Sequence, residues 1–201
     1  KNTCITLITH YHSDRMEINF HGYSCFTIYG KNATVVVDPF DPGEAGIKLS
    51  KLKANIVLAN EDFTFHHAVS QVTGEEGGLH IFDWPGEYEA KGVNVIAVPA
   101  HNRSKTEEEK GSKAESALLF AFEIDGFKIC HLSNLGHKLT NEMLDMIGDT
   151  DILFVPVGGK GQTLDAEKAH EVIEQIDPRI VIPMYYAEPG SKIPLGALDD
   201  F

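Results

Sequence analysis

The chain has 201 residues, 42% of them hydrophobic and 23% charged, the balance of a globular domain rather than of a disordered or membrane-spanning one. Thirty acidic against 17 basic residues give a net charge of −13, which repels phosphate backbones and disfavours nonspecific nucleic-acid binding. No apolar run approaches the roughly 18 residues of a membrane helix, and no basic-plus-apolar signal opens the chain. The expectation is a cytoplasmic protein with neither nucleic acid nor membrane as partner. Cys4, Cys25 and Cys130 are an odd set without CxxC spacing, so free thiols in a reducing compartment are expected.

Residues 17–29 read as two short strands separated by Gly22, and Gly30-Lys31-Asn32 as a turn. TVVVDPF (34–40) is a buried strand ended by Asp38-Pro39, where Asp38 needs no more than a turn role. A short helix is expected over Gly46–Leu52, and NIVLAN (55–60) is another buried strand. LHIFD (79–83) and VNVIAV (93–98) flank the turn Trp84-Pro85-Gly86, and the charged stretch Arg103–Lys113 is a loop. Asp125-Gly126 marks a hairpin within 117–132. Thr140 caps a helix through Met146, DILFVPV (151–157) is a strand, and Asp165 caps a helix whose apolar side carries Ala169, Val172, Ile173 and Ile176. RIVIPM (179–184) is the last strand. Phe26, Val36, Val57, Leu119, Ile129, Phe154 and Ile182 are the expected core.

In order, MEINFHGYSCFTI, VVVDPF, PGEYEAKGV (85–93), IDGFKICHLSNLGHKLT (124–140), DILFVPVGG (151–159), TLDAEKA (163–169) and PRIVIPMYY (178–186) resemble the metallo-β-lactamase fold. Within that fold they are similar to the metal-dependent hydrolases related to L-ascorbate-6-phosphate lactonase. The resemblance runs from about Met16 to the chain end. It implies an α/β protein, an αββα sandwich over residues 16–201, with residues 1–15 as a leader or appendage. It also implies hydrolysis by a metal-bound hydroxide at one edge, where two cations share and acidify a water. The family takes its ligands from a loop H-x-H-x-D-H, a later His, a bridging Asp and a final His.

Laid on that pattern, His66 stands at the loop's last His, but Glu61 and Phe63 replace the first two and Phe65 replaces the Asp. Asp62 and His67 complete the remnant loop. Near the later His stand His101 and Asn102; Asn134 in SNLGH matches the bridging Asp, and Tyr185 in PMYY matches the final His. Phenylalanines have no lone pair to offer, a carboxamide bridges two cations poorly, and a phenol with an ordinary pKa near 10 is a poor zinc ligand. His66, Glu61 and His101 are the remaining candidate ligands, for zinc or manganese. His101, ahead of the charged loop, is otherwise expected to be an exposed, solvated residue, and His131 a structural one. Before the first family-like strand, His10, His12 and Asp14 in THYHSD form an alternative ligand set by spacing.

The leading expectation is therefore a metallo-β-lactamase-fold homologue without hydrolytic activity, a binding or scaffolding protein with no metal or a substoichiometric amount. A small-molecule ligand and a homo-oligomer are both compatible with it. The alternative is a hydrolase of a phosphorylated or lactone-type small molecule, working through a rearranged site.

Overall fold

A computed structural model describes residues 4–8, 15–60, 68–102 and 116–201. The chain runs through β1 (Cys4–Ile8), β2 (Arg15–Gly22), β3 (Cys25–Tyr29), β4 (Thr34–Val37) and α1 (Pro42–Ala45). Next come β5 (Leu52–Ala54), β6 (Ile56–Leu58), β7 (Val72–Gly74), β8 (His80–Phe82), β9 (Gly86–Ala90) and β10 (Val93–His101). β11 (Ser116–Ile124), β12 (Phe127–His131), α2 (Asn141–Ile147), β13 (Ile152–Pro156), α3 (Ala166–Ile176) and β14 (Ile180–Met184) complete it. One sheet has the order β1-β2-β3-β4-β6-β8, the other β14-β13-β12-β11-β10-β9, and β5 pairs with β7.

Alternation of side chains along each strand builds two cores. On β11, Leu118, Phe120, Phe122 and Ile124 face the first core while Ala117 and Leu119 face the second. β13 splits the same way, with Ile152 and Phe154 to the first and Leu153 and Val155 to the second. The first core joins the two sheets, and the Phe26 and Phe154 rings meet there with centroids 4.5 Å apart. The second holds buried residues of α2 and α3 against the other face of the second sheet. All seven residues expected in the core are buried, Leu119 in the second and the rest in the first.

The α2 and α3 caps are those the sequence predicts. Thr140 Oγ1 accepts the Met143 N–H at 3.2 Å, and Asp165 Oδ1 accepts that of Lys168 at 2.9 Å. The helix expected over Gly46–Leu52 does not form; α1 lies upstream. Asp41 caps α1 by accepting the Gly43 and Glu44 N–H groups at 2.7 and 3.1 Å. Gly46 ends α1 in the left-handed region at φ 81°, where a Cβ would collide with the Gly190 carbonyl oxygen. Leu52, Lys53 and Ala54 alternate buried, exposed, buried and form a strand. β1 pairs with β2 from Cys4↔Asn19 to Ile8↔Arg15, so residues 4–8 extend the first sheet beyond the family-like region. Among the described residues no helix is long and apolar enough to cross a membrane.

Candidate functional site

Strand direction gathers the site. β4, β6 and β8 are parallel, which brings Asp38, Asn60 and Asp83 to one end of the first sheet. β12, β13 and β14 are parallel, and β10 shares their direction because both pair antiparallel to β11. Their C-terminal ends carry His101-Asn102, His131 to Asn134, and Tyr185. Hydrogen bonds tie the sheets together there. Asn60 Nδ2 donates to Ser133 Oγ at 3.2 Å, His131 Nε2 to the Ser24 carbonyl at 2.9 Å, and the Tyr185 N–H to the Tyr23 carbonyl at 2.8 Å.

Around them lies a buried polar network. Asn60 Nδ2 also donates to Asp38 Oδ1 at 2.9 Å, and Asn60 Oδ1 accepts the Leu118 N–H. The Ser24 carbonyl can only accept, so His131 carries its proton on Nε2. Its Nδ1 accepts the Ser133 N–H at 3.2 Å and the Ser133 hydroxyl at 3.3 Å. Burial lowers the His131 pKa to about 3, with the bond to Ser24 partly opposing. Burial raises that of Asp38 to about 7, against the Asn60, Ser133 and Ser24 donors. The 4.0 Å approach of His131 Nδ1 to Asp38 Oδ2 is thus not an ion pair at neutral pH, and Oδ2 has no hydrogen-bond partner among the described residues. Asp38 therefore does more than end a strand. It sits wholly buried at φ 46° inside the network.

His10, His12, Asp14, Glu61, Asp62, Phe63, Phe65, His66 and His67 lie outside the described residues. His101 is half-buried rather than solvated. The Gly136 N–H donates to the His101 carbonyl at 3.1 Å, and the His101 N–H donates to His137 Nε2 at 3.2 Å. His137 Nδ1 donates in turn to the Lys138 carbonyl at 2.8 Å, and the two rings stand 6.2 Å apart. His131 is structural, as expected. Asn102 and Asn134 are buried. Tyr185 is fully buried at φ 54°, its ring 5.8 Å from that of Tyr23.

Asn134 is 1% exposed, and among the described residues neither of its amide atoms has a hydrogen-bond partner. An orphaned buried polar group costs about 1–3 kcal/mol. Asn134→Leu, of similar size and without the orphaned atoms, is expected to stabilise the fold by about that amount, read as a higher urea midpoint at unchanged slope. A lower midpoint would show that the carboxamide has a partner the described residues do not supply.

The described residues do not fit a binuclear metal centre. No group of three or more His, Cys, Asp or Glu side chains gathers among them. At the bridging position, the Asn134 amide nitrogen offers no lone pair to a second cation. A cavity of about 190 Å³ opens beside Asn60 and His101, with Trp84 among its lining residues. The sequence reading missed Asn60, Ser24, Ser133 and this cavity. An asparagine closing an otherwise apolar strand was the available signal for Asn60.

The sequence model of the beta-lactamase superfamily domain matches residues 17–185. The chain belongs to the metallo-β-lactamase superfamily. Among its relatives, the UPF0173 metal-dependent hydrolase of Thermoplasma acidophilum is 31% identical over 196 residues, covering 86% of this chain and 84% of the relative. That of Thermoplasma volcanium is 29% identical over 192 residues, covering 85% and 83%. A metallo-β-lactamase superfamily protein of Thermotoga maritima superposes with a TM-score of 0.73 at 33% identity, covering 92% of this chain and 84% of the other. Human tRNase Z, short form, shares the fold at a TM-score of 0.58 and 9% identity, covering 92% and 91%. The metallo-β-lactamase architecture expected from the sequence is thus the one present.

Proposed function

We propose that this metallo-β-lactamase-fold protein is catalytically inactive and binds a small molecule in the cleft at its strand ends. The observation that supports this best is Asn134, a buried neutral carboxamide where the superfamily pattern has its bridging carboxylate. Tyr185, at the final-histidine position, is a phenol packed against Tyr23. A carboxamide bridges two cations poorly, which weakens the hold on a second cation beside a shared water.

The second reading is a metal-dependent hydrolase of a phosphorylated or lactone-type compound, with His66, Glu61, Asp62 and His101 around zinc or manganese. The half-buried pair His101 and His137 and the names of the relatives favour it. Turnover separates the two. Phosphodiester, lactone and β-lactam probes with added zinc or manganese are expected to give no rate above buffer. A metal-dependent rate abolished by His66→Ala would establish the second reading.

A further inference from the structure

Among the described residues the two six-stranded sheets end in four edge strands, β1 and β8 on the first sheet and β14 and β9 on the second. An edge strand presents a row of unpaired N–H and C=O groups, and folded proteins protect such edges by shortness, charge or proline. Three of these four are protected. β8 has three residues. β9 carries Glu87 and Glu89, both exposed. β14 carries Pro183. The Ile180 N–H points inward, donating to the Asp151 carbonyl at 2.9 Å. Residues alternate along a strand, so Pro183 falls on the outer row and removes a donor from it.

β1 has none of these devices. It is five residues long, and Cys4-Ile5-Thr6-Leu7-Ile8 contains no charge, proline or glycine. Three of the five residues are β-branched, a composition that favours strand pairing. Among the described residues β1 pairs with β2 alone, from Cys4↔Asn19 to Ile8↔Arg15. Its other edge is a template for a further strand.

The strand that fits this edge is β1 itself. A two-fold axis makes two copies of β1 antiparallel and uses the same edge on both partners. The register that overlaps all five residues sets Thr6 opposite the partner's Thr6, Ile5 opposite the partner's Leu7 and Cys4 opposite the partner's Ile8. Every pair is apolar with apolar or threonine with threonine, kinds worth about 0.2–1 kcal/mol each relative to alanine. No like charges meet along the strands. The −13 on each copy opposes association, but at physiological ionic strength charges more than about 8 Å apart are largely screened.

We infer that β1 is a dimer interface, through which two copies of this chain join edge to edge, antiparallel about Thr6. The first sheets then form one sheet of twelve strands, six from each copy, whose outer edges are the two short β8 strands. This pairing is independent of what the cleft binds or hydrolyses. A five-residue ladder is a small interface, so the dimer is reversible and depends on concentration.

Sedimentation of the full chain over a concentration series is expected to show the mass rising from 22.1 kDa toward twice that value. Thr6→Lys sets two cations against each other at the axis, while within its own chain position 6 stands opposite Glu17. The variant should keep its melting temperature in dilute solution and dimerise about tenfold more weakly. Thr6→Glu should weaken the dimer as well, and mixing the two variants should restore it, because opposite charges then meet. A cysteine reads the register without either charge. In a Cys4→Ser background, Thr6→Cys should give a disulfide-linked dimer under mild oxidation, since opposed Cα atoms of an antiparallel pair lie about 4.5–5.5 Å apart. The unmodified chain should not cross-link, because Cys4 lies four residues, about 14 Å, from the partner's Cys4, and Cys25 and Cys130 are buried. If Thr6→Lys unfolds, the cysteine decides. A mass of 22.1 kDa at every concentration, a folded Thr6→Lys variant that dimerises like the unmodified chain, a mixture that restores nothing, or no cross-link through Thr6→Cys would each overturn the inference.

Discussion

Asn60→Ala is expected to lower the unfolding free energy by about 3–5 kcal/mol. One carboxamide holds three partners from different elements. It donates to Asp38 Oδ1 and to Ser133 Oγ, and accepts the N–H of Leu118 on β11. All are buried, so truncation strands a carboxyl oxygen and a peptide N–H where water cannot replace the lost bonds. Each such loss costs about 1–3 kcal/mol. At about 2–4 °C per kcal/mol for a chain of this size, the melting temperature should fall by about 10 °C. Asn60→Asp should do no better, because it removes the amide donor and sets a second acid against Asp38. A loss under about 1 kcal/mol for Asn60→Ala would mean that this clamp does not join the sheets.

The second large effect is in pH. Asp38 has its pKa raised from 3.8 to about 7 by burial, so the folded state keeps its proton where the unfolded chain has lost it. Its contribution is fully present below pH 4 and is lost as pH rises to 7, by about 4 kcal/mol in all. His131 has its pKa lowered from 6.5 to about 3 by burial. The unfolded chain then gains the proton first, so this contribution is full above pH 6.5 and is lost as pH falls toward 3. Between pH 4 and 6.5 the two slopes oppose and nearly cancel. Asp38→Asn removes one of them, and asparagine tolerates the positive φ at this position. Relative to the unmodified protein, the variant should gain about 1.4 kcal/mol per pH unit between pH 4 and 7. Urea titrations of both proteins across that range give the difference directly. Parallel curves would show that Asp38 is not held protonated in the fold.

Much of the architecture was legible because strands with both faces buried, such as VVVDPF and ILFVP, announce themselves through unbroken apolar runs, and capping residues mark helix starts. The exception near Gly46 is instructive. Asp41-Pro42 and Gly46 are a start and a stop signal only four residues apart, and the periodic reading passed over so short a helix. The strand ends were less legible. Asn60 and Ser133 are ordinary polar residues in the sequence, and their importance arises from a contact between residues 73 positions apart. The superfamily pattern pointed at Asn134 and Tyr185 by position, but the orphaned amide of Asn134 is a property of packing alone. Trp84-Pro85-Gly86 reads as a turn; Trp84 and Pro85 form a bend, and Gly86 opens β9. That Trp84 lines a cavity with Pro99 and Leu118 is a property of the fold, not of that local signal.

The most direct measurement of the central claim is elemental analysis of the untagged protein, purified without chelator and dialysed against trace zinc and manganese. A neutral carboxamide at the bridging position and a buried phenol at the closing one lead to substoichiometric metal, unchanged when Asn134 alone is replaced by Asp. One or two equivalents of tightly held zinc or manganese, lost on His66→Ala, would contradict the account and establish a metal centre.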